Sequence, residues 1–246
     1  DLFPPGTVSL NGLKIYGEES GKVISYAATM AHASQSGLSR LFDTLLEGEG
    51  GRLEPLDDLS FYEEGGVSGL IHGETVLFGT AAFCRKMHVT MPGGLSLKTG
   101  AFLAVDGTLI AVFAVKYTAA ENVDWALHAL KRSRITPVLA VRDGSITPAL
   151  LKRKFGTDAR AVYPTVSTRL ALSEKDGEHP YALLYREGLM PYAEIAVGSK
   201  RLVHAVRVAA VLSLGSSAVS ALLAFYLTFV GAYSALTPVS MLLYLL

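Results

Sequence analysis

From Val208 to Leu246 the chain runs 39 residues without an Asp, Glu, Lys or Arg. The 22 basic and 22 acidic residues all lie earlier, and only Arg201 and Arg207 come after Lys200. A helix crosses a bilayer core with about 20 apolar residues, and Val208 to Val230 supplies 23. The competing reading is a pair of buried helices in a soluble protein, but an uncharged stretch this long exceeds an ordinary core helix. Gly231 to Ser234 relax the pattern, and Thr237-Pro238 suits the first turn of a new helix. Val239 to Leu246 is apolar again. The expectation is therefore one full span over about 208–230 and a second, truncated span. Lys200, Arg201, His204 and Arg207 flank the first span, which by the positive-inside rule makes residues 1–207 cytoplasmic in a multi-pass membrane protein. Gly215, Ser216, Ser217, Ala218, Ser220 and Ala221 let helix backbones approach closely. The expected partners are thus the lipid bilayer and other transmembrane helices. Residue 1 is Asp and the last apolar run is short, so the chain reads as a fragment of a larger membrane protein.

The formal net charge is zero, which removes the electrostatic case for nucleic-acid binding. A single cysteine, Cys84, excludes an intrachain disulfide and a cysteine-rich zinc site, and it reads as core packing. His32, His72, His88, His128, His179 and His204 have no metal-ligand spacing. No metal site is expected from them, and no G-x-S-x-G elbow occurs.

Two textures precede the membrane segment. In residues 13–108, helical spacing spans Gly21 to Leu46. His72-Gly73-Glu74 joins strands Val67–Ile71 and Thr75–Phe78. Thr80–Met87 reads as a helix, Pro92-Gly93-Gly94 as a turn, and Asp106-Gly107 as a hairpin between Ala101–Val105 and Thr108–Val115. A short strand, Leu10 to Ile15, carries a turn at Asn11-Gly12. From 109 onward helices and strands alternate: helix Thr118–Arg132, strand Thr136–Val141, helix Thr147–Phe155, strand Ala161–Tyr163, helix Ser167–Glu174, strand Tyr181–Tyr185. That alternation predicts parallel pairing in a doubly wound α/β domain. Trp125 and Tyr117 are expected to pack the first of these helices onto the sheet.

This order of parts resembles the catalytic half of a P-type ATPase. The resemblance implies a haloacid-dehalogenase-like, doubly wound phosphorylation-type domain (1–12 and 109–198). An inserted α+β nucleotide-binding-type domain (13–108) and C-terminal transmembrane helices (199–246) complete it. The stretch Glu63 to Phe83 (EEGGVSGLIHGETVLFGTAAF) is similar to the glycine-rich hairpin of heavy-metal pump nucleotide domains. It implies that Gly65, Gly66 and Gly69 bind nucleotide, with ATP as cofactor. A commoner reason for such glycines is a tight hairpin turn.

Phosphoryl transfer needs an aspartate nucleophile, a hydroxyl and a cation for the phosphoryl oxygens, and acidic magnesium ligands. The family's nucleophile motif, D-K-T-G-T-L-T, has its counterpart in DLFPPGTVS, which implies vestigial catalytic residues Asp1 and Thr7. The lysine is gone, and two prolines stand where backbone N–H groups should cradle phosphate. The T-G-D turn becomes Val141-Arg142-Asp143, keeping Asp143 without the hydroxyl. Arg169 stands where a phosphate-binding lysine is expected and is an unequal substitute. The G-D-G-x-N-D magnesium motif becomes Arg186-Glu187-Gly188, one acid beside an arginine. With all four motifs altered, the leading expectation is a pseudoenzyme that keeps the fold and works by nucleotide or partner binding. The alternatives are an active, divergent ATPase that couples magnesium-dependent ATP hydrolysis to ion transport, and a non-enzymatic membrane sensor or scaffold.

Overall fold

A computed structural model describes residues 2–4, 6–92, 99–156, 161–174, 184, 186, 188–232, 234 and 237–245. They form two compact units, residues 1–194 and 195–246. Asp1, Glu187, His179, most of the Pro92-Gly93-Gly94 turn and most of the Tyr181–Tyr185 strand lie outside the described residues.

The first unit is built on a six-stranded sheet with order β1-β6-β5-β4-β3-β2. Its strands are β1 (Val8–Ile15), β2 (Asp57–Tyr62), β3 (Gly66–Ile71), β4 (Glu74–Gly79), β5 (Gly100–Val105) and β6 (Thr108–Tyr117). Every neighbouring pair is antiparallel. Both expected hairpins form, because His72, Gly73, Asp106 and Gly107 all take positive φ, as tight two-residue hairpin turns require.

Both faces of the sheet are covered. On β5, Ala101, Leu103 and Val105 enter the larger core, while Phe102 and Ala104 enter a smaller one. This is the period of two of a pleated strand with no solvent face. The helical hairpin α1 (Ser20–Ala33) and α2 (Ser39–Gly48) contributes Val23, Ala27, Met30 and Phe42 to the larger core. Phe42 meets Phe78 and Phe113 edge-on, at centroid distances of 5.4 and 4.9 Å, the favoured geometry for aromatic rings. Helix α3 (Ala81–Lys86) seats Phe83 and Cys84 in the smaller core. Cys84 is thus the packing residue its sequence context suggested, and burial pushes its thiol up to about 11.

Two expectations are corrected here. Asn11-Gly12 is not a turn. Leu10 pairs with Val115 and Gly12 with Ala114, so Asn11 is the extra residue of a β-bulge inside β1. The single helical stretch 21–46 is two helices, broken at Gln35, whose φ is +51°. Strand β2 joins the sheet although its sequence, DDLSFY, lacks a clean alternation. The boundaries drawn after residues 12 and 108 fall inside β1 and at the head of β6, strands paired with one another in this one sheet.

Beyond β6 come α4 (Glu121–Arg132), α5 (Pro148–Phe155) and α6 (Val166–Ser173). Helix α4 buries Val123, Ala126, Leu127 and Leu130 and has acids in its first turn and bases in its last, complementing the helix dipole. Trp125 is half exposed rather than packed on the sheet. Helix α5 starts on a Thr147 cap with Pro148 next, and stops at Gly156 in the left-handed conformation. The expected strands Thr136–Val141 and Ala161–Tyr163 reduce to one parallel bridge, Val138 with Val162. Pro137 has no N–H to extend it. Among the described residues that bridge is the parallel pairing, so the fold shown is mixed α/β around an antiparallel sheet.

Helix α7 (Leu189–Phe229), most of which belongs to the second unit, is 41 residues long and apolar enough to cross a membrane, and its apolar stretch is not buried in protein. At about 1.5 Å per residue it exceeds a bilayer core. Helix α8 (Pro238–Leu245) has eight residues, fewer than the roughly 20 a span requires. One helix able to span is therefore present among the described residues.

Candidate functional site

The end of β6 places Tyr117 in the larger core, 1% exposed. Its hydroxyl donates to Asp143 Oδ2, and the Ser145 N–H donates to Asp143 Oδ1 at 2.9 Å. Asp143 is itself buried, at 6% exposure. Burial pushes its carboxyl above the ordinary aspartate range, against the lowering effect of the Tyr117 and Ser145 hydrogen bonds. Burial, with the neighbouring Asp143 charge, likewise pushes the Tyr117 phenol up.

The Asp143 loop lies against the β2–β3 turn. Gly65, at φ +81°, and Gly144 touch backbone to backbone. A Cβ on Gly144 would stand 2.0 Å from Gly65 Cα, and one on Gly65 2.7 Å from Gly144 Cα. A Cβ on Gly66 would strike the Phe83 ring at 2.0 Å, and one on Gly69 would meet Leu56 at 2.6 Å. The turn is fastened from below: Thr80 N–H donates to the Gly65 carbonyl at 3.0 Å and Thr80 Oγ1 to the Glu64 carbonyl at 2.6 Å. Glu64 also pairs with Lys86.

Arg142 and Arg169 border the same loop contact. Arg142 Nε donates to Ser173 Oγ at 2.8 Å. Arg169 is 3% exposed; its Nη1 donates to the Tyr163 hydroxyl, its Nη2 lies 3.5 Å from Glu63 Oε2, and its guanidinium stacks 4.3 Å from the Tyr163 ring centre. A cleft of about 290 Å³ on the other side of the Arg142–Asp143 loop is lined by Phe3, Gln35, Tyr117, Arg142, Asp143 and Ser173, among others.

Of the expected site residues, Gly65, Gly66 and Asp143 line one small cavity together. Gly69 lies apart from it, against Leu56. Thr7 turns its hydroxyl onto the Pro4 carbonyl at 2.7 Å. The partners of Asp143, Tyr117 and Ser145, and the partner of Gly65, Gly144, carry no sequence signal of this arrangement, since Tyr117 lies 26 residues from Asp143. The three glycines pack against protein: Gly65 against Gly144, Gly66 against the Phe83 ring and Gly69 against Leu56. Asp143 does not fit a magnesium ion, because both its oxygens are engaged by donors and Arg142 is next to it. Among the described residues no group of three His, Cys, Asp or Glu side chains is placed to hold a metal ion.

No protein-family model and no curated protein sequence matches the chain. Solved structures do resemble it. The N-domain of HMA8, a copper-transporting P-type ATPase, is 16% identical at a TM-score of 0.38, over 43% of this chain and 98% of that one. The catalytic domain of the CPx-ATPase CopB-B is 14% identical at 0.41, over 66% of this chain and 56% of that one. A zinc-transporting PIB-type ATPase in its E2.Pi state is 11% identical at 0.38, over 66% of this chain and 27% of that one. The structural neighbours are thus P-type ATPase N-domains and catalytic domains, at low identity and partial coverage.

Proposed function

We propose that this chain is a P-type-ATPase-like membrane protein whose head acts by binding, not by phosphoryl transfer. The observation that carries this reading is the state of Asp143. The carboxylate that the sequence resemblance puts at the phosphate-handling turn is buried and held by Tyr117 and Ser145. A group so engaged is a structural acceptor, not a ligand for an incoming cation or phosphoryl group. The family-like glycines support the same reading, since their faces are filled by Gly144, Phe83 and Leu56.

The ligand class implied by the sequence resemblance is a nucleotide. The cleft over Tyr117 and Arg142, at about 290 Å³, is near the lower end of small-molecule sites, and it is where such a ligand would go. Helix α7 anchors the head to a bilayer, with residues 1–207 on the cytoplasmic side and further helices around the span. Calorimetry of the full chain in nanodiscs with a non-hydrolysable ATP analogue tests the ligand. Saturable binding weakened by Arg142→Glu is expected. Absence of binding would leave a protein partner as the head's ligand, and magnesium-dependent ATP turnover would overturn the reading.

A further inference from the structure

Beneath the Asp143 loop lies an apolar floor that belongs to the sheet and the α1–α2 hairpin. Leu38, Val67, Phe78 and Ala101 form it, all buried, with Ser34 and Ser36 beside them. What covers it is Arg142, Asp143, Gly144 and Ser145, four residues without one apolar side chain. A cavity of about 30 Å³ remains between floor and loop. A second, of about 20 Å³, borders the same Gly65–Gly144 contact. Protein interiors close-pack with few voids, and a polar loop laid over an apolar floor fills it poorly.

The loop is held by a few discrete ties. Gly144 meets Gly65 backbone to backbone, Asp143 accepts from Tyr117, and Arg142 donates to Ser173. The turn it rests on is fastened by Thr80, through bonds that do not pass through the loop. Segments with few apolar contacts open locally, well below the cost of global unfolding. Arg142 and Asp143 also line the cleft of about 290 Å³ on the loop's other side. We infer that the Arg142–Ser145 loop is an autoinhibitory plug: it lifts as a unit to uncover the apolar floor and the Gly65–Gly66 turn, and in lifting removes one wall of the cleft. The binding head thereby has a closed and an open state. The test of this needs no ligand, so the plug stands or falls apart from nucleotide binding.

Ser36→Cys places a thiol on the covered pocket. Cys84, buried in the smaller core, reports global unfolding in the same molecule. The full chain in nanodiscs is labelled with a maleimide in water and in low urea. The introduced thiol should react much faster than Cys84 and with little urea dependence, because a local opening exposes little surface. Gly144→Ala is a wedge: Gly144 lies outside the left-handed region, yet the added methyl would stand 2.0 Å from Gly65 Cα. It should hold the plug off and speed labelling of the introduced thiol about tenfold, while Cys84 stays protected. Equal rates and equal urea dependence at the two thiols would make the loop part of the core and overturn the plug. So would a Gly144→Ala protein that fails to fold, or one that labels as slowly as its parent. Should Ser36→Cys itself not fold, hydrogen exchange at the Ser145 N–H of the unaltered chain decides the matter. Exchange faster than at the β5 amides supports the plug, and equal exchange overturns it.

Discussion

Tyr117, the last residue of β6, donates its phenolic hydrogen to Oδ2 of Asp143, tying the end of that strand to the loop before α5. Removing that donor with Tyr117→Phe leaves a buried acid held by Ser145 alone. A loss of about 1–3 kcal/mol is expected, measured by chemical denaturation of the full chain.

The same acid sets a pH dependence. Its carboxyl is raised in the folded protein, so between the unfolded and folded pKa values the folded state holds more protons. Its contribution is then fully favourable below the unfolded value of about 3.9, and it declines as pH rises through the folded pKa. Asp143→Asn removes this dependence. The variant should gain melting temperature relative to the parent at pH 8 and gain less, or nothing, at pH 4.

Glu74 gives the opposite sign. It accepts from Tyr26 at 2.6 Å and Lys22 at 3.0 Å. The Tyr26 bond, followed by that of Lys22, holds its carboxyl below the usual range. This stabilisation is present above the unfolded glutamate pKa and is lost as pH falls through the lower folded value. Tyr26→Phe should cost about 1 kcal/mol near neutrality and shift the acid unfolding limb to higher pH.

Glycine substitutions separate packing from ligand contact. Gly66→Ala drives a methyl into the Phe83 ring and should destabilise by about 1–3 kcal/mol. Combining it with Phe83→Ala should cost less than the sum of the two single changes. Strict additivity would show that the two residues do not meet.

A charge placed mid-span tests α7. Val219→Arg puts a guanidinium at the centre of the expected span, at about 2.5–3.5 kcal/mol. The parent should stay in the membrane fraction on alkaline extraction, and the variant should be partly released.

The parts of the fold governed by local chemistry could be read from sequence. His72-Gly73 and Asp106-Gly107 dictate two-residue turns, Thr147-Pro148 starts α5, and an uncharged run makes α7. Pairing between strands distant in sequence, such as β1 with β6, was not legible. β6 reads as a nearly continuous apolar strand, a pattern typical of parallel sheets. Here it arises because both faces of an antiparallel sheet are covered. β2 is too polar to announce itself, and its pairing with β3 is irregular between Asp57 and Ser60. At the site, Asp143 and the glycines drew notice through a family likeness. Their actual neighbours, Tyr117 and Gly144, meet them only through the fold.

The central claim is that this head does not transfer a phosphoryl group. The direct measurement is incubation of the purified full chain with magnesium and γ-labelled ATP, followed by acid quench and detection of labelled protein. The account predicts no acid-stable phosphoenzyme and no ATP hydrolysis above an Asp1→Asn control. A labelled protein that disappears in Asp1→Asn would contradict it.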